Sequence, residues 1–205
     1  MIAPARAFHA VVALLALIGL AINYSVVLGN HPGAPVAALI RFLSFFTVLS
    51  NIWVAIASIG IALGRGWARR AATRTAIAVY ITVVAAIFQI LLAGLAPLSP
   101  LGWWGNMLVH QLVPMLWLLC WIGFGPHGRI AATAPLRWLI FPALYGAYTM
   151  VHGASTGFYP YPFLDVAKRG GGAVARNMAL IGLLFLALGY LFRWLDARLP
   201  RRASH

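Results

Sequence analysis

Six apolar stretches, each nearly stripped of charge and close to or beyond the roughly 20 residues that cross a bilayer, leave this chain little choice of architecture. They run over about 10–28, 36–63, 75–95, 105–124, 136–151 and 174–192, and the fifth is short and carries Pro142. The expectation is an all-α, polytopic membrane protein. No linker is long enough to separate domains and no internal repeat is visible, so residues 1–205 are expected to form one domain, a single bundle of six transmembrane helices.

The net charge of +13 invites a nucleic-acid reading, but the basic residues fall where membrane topology puts them. Arg6, Arg65, Arg69, Arg70, Arg74, Arg129, Arg137, Arg193, Arg198, Arg201 and Arg202 share one side if the chain crosses six times. That side is then cytoplasmic and holds both termini. Lys168 and Arg169 occupy the other side, with Arg41 and Arg176 near the outer ends of their helices. No basic stripe interleaves with exposed aromatics, so nucleic acid is not an expected partner, whereas anionic lipid is. The first stretch is preceded by Arg6 but runs longer than a signal-peptide core and lacks a clear small-residue cleavage site, so a retained helix is expected. The lone Cys120 excludes an intramolecular disulfide and reads as a small packing residue.

Polar side chains cost free energy at hydrocarbon depth, so their placement carries the functional information. Along the second stretch Ser44, Thr47, Asn51 and Ser58 fall within about 60° of one another on a helical wheel. Along the fourth, Asn106, His110, Trp117 and Trp121 do the same. At 1.5 Å per residue Thr47 lies roughly 15 Å below the outer end of its helix and His110 roughly 8 Å, a gap that tilt can close. Asn23, Tyr24, Gln89, Tyr145, Tyr148, Thr149, His152, Arg176 and Asn177 gather at the same outer half, while the inner half is nearly bare. A polar chamber open toward the outer leaflet accounts for this distribution. The plainer account is structural: membrane-helix Ser and Thr bond the carbonyl one turn back, and Asn or Gln bridge helices.

Between the last two stretches, Tyr159-Pro160-Tyr161-Pro162-Phe163-Leu164-Asp165 is stiffened by two prolines. It reads either as an interfacial aromatic belt or as a lid over the outer chamber. Asp165 is the only acid expected outside, paired with Arg176, Arg41 or a histidine. Trp103 and Trp104 read as interface anchors, and Gly170-Gly171-Gly172 as a flexible connector. His9, His31, His127 and His205 lie at ends or loops with no specific role expected. No cluster has metal-ligand spacing, so neither metal nor cofactor is expected; only His110 with His152 offers even two imidazoles.

Phe45-Phe46-Thr47-x-x-Ser50-Asn51, Asn106-x-x-x-His110-x-x-x-Pro114 and the loop 159–165 together resemble bacterial relatives of the androgen-induced membrane proteins, a family that includes the androgen-dependent regulator of tissue factor pathway inhibitor. The resemblance extends over nearly the whole chain. It implies an intramembrane hydrolase of fatty acid esters of hydroxy fatty acids or similar acyl esters, with Thr47 as nucleophile and His110 as its histidine, in a bacterial inner membrane. A secondary hydroxyl needs a base as it attacks a carbonyl, and neutral His110 can take the proton and return it to the leaving alkoxide. Asn51, Asn106 or a backbone amide can supply oxyanion donors, with Ser44, Gln89, Tyr145 and His152 as supporting polar groups. With no acid expected in any span, His110 is oriented by a neutral acceptor or by Asp165. An acyl chain entering from the bilayer would lie against Trp117 and Trp121. The competing reading is a lipid-binding or carrier protein without turnover; transport by paired broken helices has no repeat to support it.

Overall fold

The computed structural model describes residues 3–95, 97–128 and 130–200. Arg129, Arg201, Arg202 and His205, which entered the reading of charge and histidines above, lie outside these residues. The described chain is all-helical and contains no strand ladder. Four helices are long and apolar enough to cross a membrane: Ala3–Gly29 (α1), Ala71–Leu92, Pro100–Phe124 and Gly171–Arg198 (α11). On length and composition these helices mark a multi-pass membrane protein, and their outward faces carry Leu14, Leu17, Leu119, Leu180 and Leu183.

Six uninterrupted crossings are not what the structure contains. The second stretch is broken into α2 (Pro35–Leu43) and α3 (Phe46–Ala62), which meet at 82°. The fifth divides into α8 (Ala134–Trp138) and α9 (Ile140–Thr156); α9 has 17 residues, about 25 Å of helix against a hydrocarbon core of roughly 30 Å. Counting the bent pair as one gives five candidate spans. A short α4 (Gly66–Arg69) precedes α5 (Ala71–Ile87), and α10 (Val166–Arg169) precedes α11.

The break at Ser44 and Phe45 contains neither proline nor glycine. Phe45 is extended, with φ −88° and ψ 129°, and the Ser44 carbonyl, which a continuous helix would pair with the Val48 N–H, accepts the Tyr145 hydroxyl at 2.9 Å. Ser44 Oγ donates to the Ile40 carbonyl at 2.8 Å and meets Tyr148 Oη at 2.7 Å. Two tyrosines of α9 therefore hold the break open.

Two turns are also widened. Residues Phe88–Leu92 and Leu108–Leu112 form π turns, marked by the Ala93 N–H on the Phe88 carbonyl at 2.8 Å and the Val113 N–H on the Leu108 carbonyl. The second π turn lies between α6 (Pro100–Met107) and α7 (Val113–Phe124). Helix α1 crosses this segment closely: a Cβ on Gly105 would meet Ile22 Cγ2 at 2.7 Å, and one on Gly19 would meet Val109 Cγ1 at 2.9 Å. Small residues let the backbones approach, as membrane helix interfaces commonly require. Phe46, Tyr80, Phe141, Tyr145 and Phe185 interlock between α3, α5, α9 and α11, with ring centroids 5.1–6.5 Å apart.

The end of the bundle that carries residues 62–74, the inner end of the expected topology, is not bare. Arg74, expected in a charged loop, is buried on α5; its Nη1 donates to the Phe124 carbonyl at 2.7 Å and its Nη2 to the Cys120 carbonyl at 2.8 Å. A cation thus satisfies the last carbonyls of α7, where the helix dipole favours positive charge. His9, assigned no role from sequence, is wholly buried, with Nε2 3.4 Å from Arg74 Nη2. His127 is likewise buried, its Nδ1 2.9 Å from Asp196 Oδ1, while Asp196 Oδ2 accepts the Gly128 N–H at 2.7 Å. An acid does therefore occur in a long helix, because α11 continues through Asp196 instead of ending at 192.

Candidate functional site

The break after α2 makes Thr47 the second residue of α3, not one ten residues down a continuous helix. The mismatch of depth between Thr47 and His110 is removed by the break and needs no tilt. Thr47 and His110 are both buried, and Thr47 Oγ1 lies 3.2 Å from His110 Nε2. The other ring nitrogen, His110 Nδ1, is 3.1 Å from the Asn106 carbonyl oxygen. A carbonyl only accepts, so in the neutral ring Nδ1 carries the proton and Nε2 is left to accept from the threonine hydroxyl. The orienting group is thus a backbone carbonyl. Phe88, from the facing π turn, stacks on the imidazole at 4.0 Å and fixes the ring plane.

Pro114 explains why Asn51 is needed. With bonding shifted to i→i−5, the Val109 carbonyl falls to the nitrogen of residue 114, and proline has no hydrogen to give. Asn51 Nδ2 takes that carbonyl at 3.1 Å and the Thr47 carbonyl at 2.8 Å. Both of its hydrogens are used, so Asn51 has none to offer an oxyanion; it clamps the turn of Thr47 to that of His110. Asn106 contributes its backbone carbonyl, and its amide makes no hydrogen bond to a described residue.

Sequence reasoning missed Tyr161. Its phenol, wholly within the protein at the head of α3, accepts the Thr47 N–H at 3.2 Å and stands 3.4 Å from Thr47 Oγ1. Burial pushes its titration upward, which keeps the hydroxyl proton in place. Phe163 stacks on the ring at 5.2 Å and Phe45 meets it edge-on at 5.9 Å. The surrounding loop is tied down by Asn177 Nδ2 on the Phe163 carbonyl, Arg169 Nε on the Pro162 carbonyl, and Arg41 over the Phe158 ring at 3.8 Å. From sequence the loop reads either as an aromatic belt or as a lid; which of its aromatics faces inward is decided by these tethers.

Two cavities flank the pair. One, of about 460 Å³, is walled by Phe46, Val83, Val84, Ile87, Pro142, Met178, Ile181 and Phe185, with Thr47, Tyr145 and Tyr161 as its polar lining. The second, of about 470 Å³, is a groove lined by Gln89, His110, Gln111 and Pro114 and flanked by the exposed Met115, Leu119 and Ile122. Gln89 is therefore gathered near His110, and Tyr145 near Thr47. Ser44 supports the break.

Three expected placements are corrected. Trp117 and Trp121 line neither cavity: Trp117 packs on His9 at 5.5 Å, and Trp121 donates to Thr75 Oγ1 at 2.9 Å and packs on Phe192. A wheel of 100° steps fails because the π turn inserts roughly one residue's rotation between His110 and Trp117. Asp165 is half-buried and caps α10 through the Lys168 N–H at 3.2 Å, with Lys168 Nζ at 3.4 Å, and so neither pairs with the expected arginines nor orients His110. His152 stacks on Tyr148 at 5.3 Å and stays apart from the Thr47–His110 contact. Among the described residues no three His, Cys, Asp or Glu side chains gather as a metal site.

Comparisons of the chain with protein-family models, with characterised proteins and with solved structures find no match.

Proposed function

We propose that this chain is an intramembrane hydrolase of lipid acyl esters, with Thr47 as nucleophile and His110 as base. The observation that carries the reading is the 3.2 Å contact between Thr47 Oγ1 and His110 Nε2, with Nδ1 held on a carbonyl, at the mouth of an apolar cavity. Threonine attack passes its proton to Nε2, and the imidazolium returns it to the departing alkoxide. Kinship to the androgen-induced membrane proteins belongs to the same proposal, as do fatty acyl esters, including those of hydroxy fatty acids, as substrates drawn from the bilayer. The apolar walls suit a single aliphatic chain.

The accompanying topology is six crossings in one bundle of a bacterial inner membrane, with α2–α3 as the second crossing, α8–α9 as the fifth and both termini cytoplasmic. The excess of arginine on that side supports it. A periplasm-active phosphatase fused near Arg198 should be silent; activity there would overturn the orientation.

Fluorophosphonate labelling of purified protein tests the chemistry. Wild type should label and turn over a long-chain aryl ester, and Thr47→Ala should do neither. The same apolar cavity, lined in part by Tyr161, also favours a second reading as a lipid-binding protein without turnover. Absence of any ester hydrolysis alongside saturable fatty-acid binding would select it.

A further inference from the structure

We propose that the Tyr161 hydroxyl is the oxyanion donor of the Thr47 centre, acting together with the Thr47 N–H. The inference rests on the hydrolase reading above and assigns the group that receives charge as the ester carbonyl is attacked. Asn51 is excluded from that task because both amide hydrogens are committed to carbonyls. Tyr145 is excluded because its hydroxyl donates to the Ser44 carbonyl. The remaining hydroxyl beside the nucleophile is Tyr161, 3.4 Å from Thr47 Oγ1 and accepting the Thr47 N–H at 3.2 Å. That N–H belongs to the first turn of a 17-residue helix, where amide hydrogens have no helical acceptor.

The pairing also explains the empty state. Without substrate, the phenol oxygen occupies the acceptor position that a carbonyl oxygen would take on the Thr47 N–H, and its own hydrogen is directed to Thr47 Oγ1. When an ester carbonyl enters from the 460 Å³ cavity, a small displacement of the phenol lets both donors address one oxygen. As Thr47 Oγ1 bonds to the carbonyl carbon, the carbonyl π pair moves onto its oxygen and the threonine proton moves to His110 Nε2. Tyr161 and the Thr47 amide then hold the resulting alkoxide. Its collapse restores the carbonyl and breaks the bond to the alcohol oxygen, which takes the proton from His110. Water repeats the cycle on acyl-Thr47, giving the acid and free threonine. Once the carbonyl is in place, donors aimed at the developing charge need little further reorganisation, and Phe163 and Phe45 pack on the Tyr161 ring to keep its excursion small.

The test uses full-length protein in detergent, a long-chain aryl ester and a fluorophosphonate. Tyr161→Phe keeps the ring and its stacking, so kcat should fall about 10²–10³-fold with KM unchanged, and labelling should slow in parallel. Tyr161→His, which retains a ring donor, should recover part of that loss and provides the reading if the phenylalanine variant does not fold. Tyr159→Phe, removing a hydroxyl from the same loop, should keep wild-type rates. Wild-type kcat in Tyr161→Phe, or a change confined to KM, overturns the donor role while Thr47→Ala inactivity leaves the hydrolase reading intact. No labelling and no turnover by wild type removes both.

Discussion

Two buried polar clusters sit at opposite ends of this apolar protein, and they differ in what their hydrogen bonds leave over. At the inner end Arg74 closes on the Phe124 and Cys120 carbonyls, and Asp196 closes on His127 and Gly128. Neither flanking cavity of the outer site is lined by Arg74, His127 or Asp196. At the outer end the Thr47 hydroxyl, the His110 Nε2 and the Tyr161 hydroxyl bond mainly to one another, next to open volume. Burial alone therefore does not distinguish a site. Exchangeable hydrogen bonds beside a cavity do, because a ligand can replace them without exposing a committed polar group.

The comparison breaks most severely if the outer pair is dispensable. Thr47→Ala and His110→Ala should each lower ester turnover by about 10³-fold or more, with the double variant little worse, since groups acting as a unit lose activity non-additively. Thr47→Ser should retain part of the rate. Turnover by folded Thr47→Ala protein would refute the nucleophile assignment. At the inner end the expected response is of another kind. Arg74→Ala orphans two buried carbonyls at about 1–3 kcal/mol each, lowering the thermal midpoint in detergent while the protein that remains folded keeps its specific activity. Equal loss of activity and stability would join the two clusters into one system.

Asn51 sharpens the contrast because it is structural yet lies in the outer cluster. Asn51→Leu leaves the Val109 carbonyl unpaired and removes the second donor to the Thr47 carbonyl, which keeps the N–H of residue 51 in its own helix, so both stability and kcat should fall, the former by about 1–3 kcal/mol. A change in stability alone would show that the π turn holds His110 without the clamp. Asp196→Ala should free the Gly128 N–H and His127, read as faster hydrogen exchange at residues 127–128 with turnover unchanged. The smallest effect is expected at Asp165→Asn, where an ion pair with the exposed Lys168 contributes at most about 1 kcal/mol and catalysis should be unaltered.

Much of the outer site is legible in the chain because its key residues repeat at helical spacing. Thr47 with Asn51 and Asn106 with His110 each stand four residues apart, which puts each pair on one helical face whatever the surroundings. Pro114 carries a further signal: a residue without an N–H, four after His110, announces an unpaired carbonyl in the fourth stretch and a departure from regular pitch. Nothing comparable marks the break after Ser44, since Leu43-Ser44-Phe45-Phe46 has no turn-forming residue. The inner cluster was misread because arginine and histidine near the ends of apolar runs usually face water, and only packing puts these among carbonyls.

Composition and period determined the all-helical, membrane-spanning character, since a chain this apolar satisfies its backbone in hydrocarbon by helical hydrogen bonds that reach only a few residues. The faces that carry Thr47 and His110 belong to the same local rule. Tertiary structure decided where the second helix breaks, how the fourth is rephased and which loop aromatic meets Thr47. Those outcomes rest on hydrogen bonds between residues 101 apart for Tyr145 and Ser44, 58 apart for Asn51 and Val109, and 114 apart for Tyr161 and Thr47. Partners so distant leave no periodic trace in the sequence, because each satisfies a backbone group that becomes free only when the helices have packed.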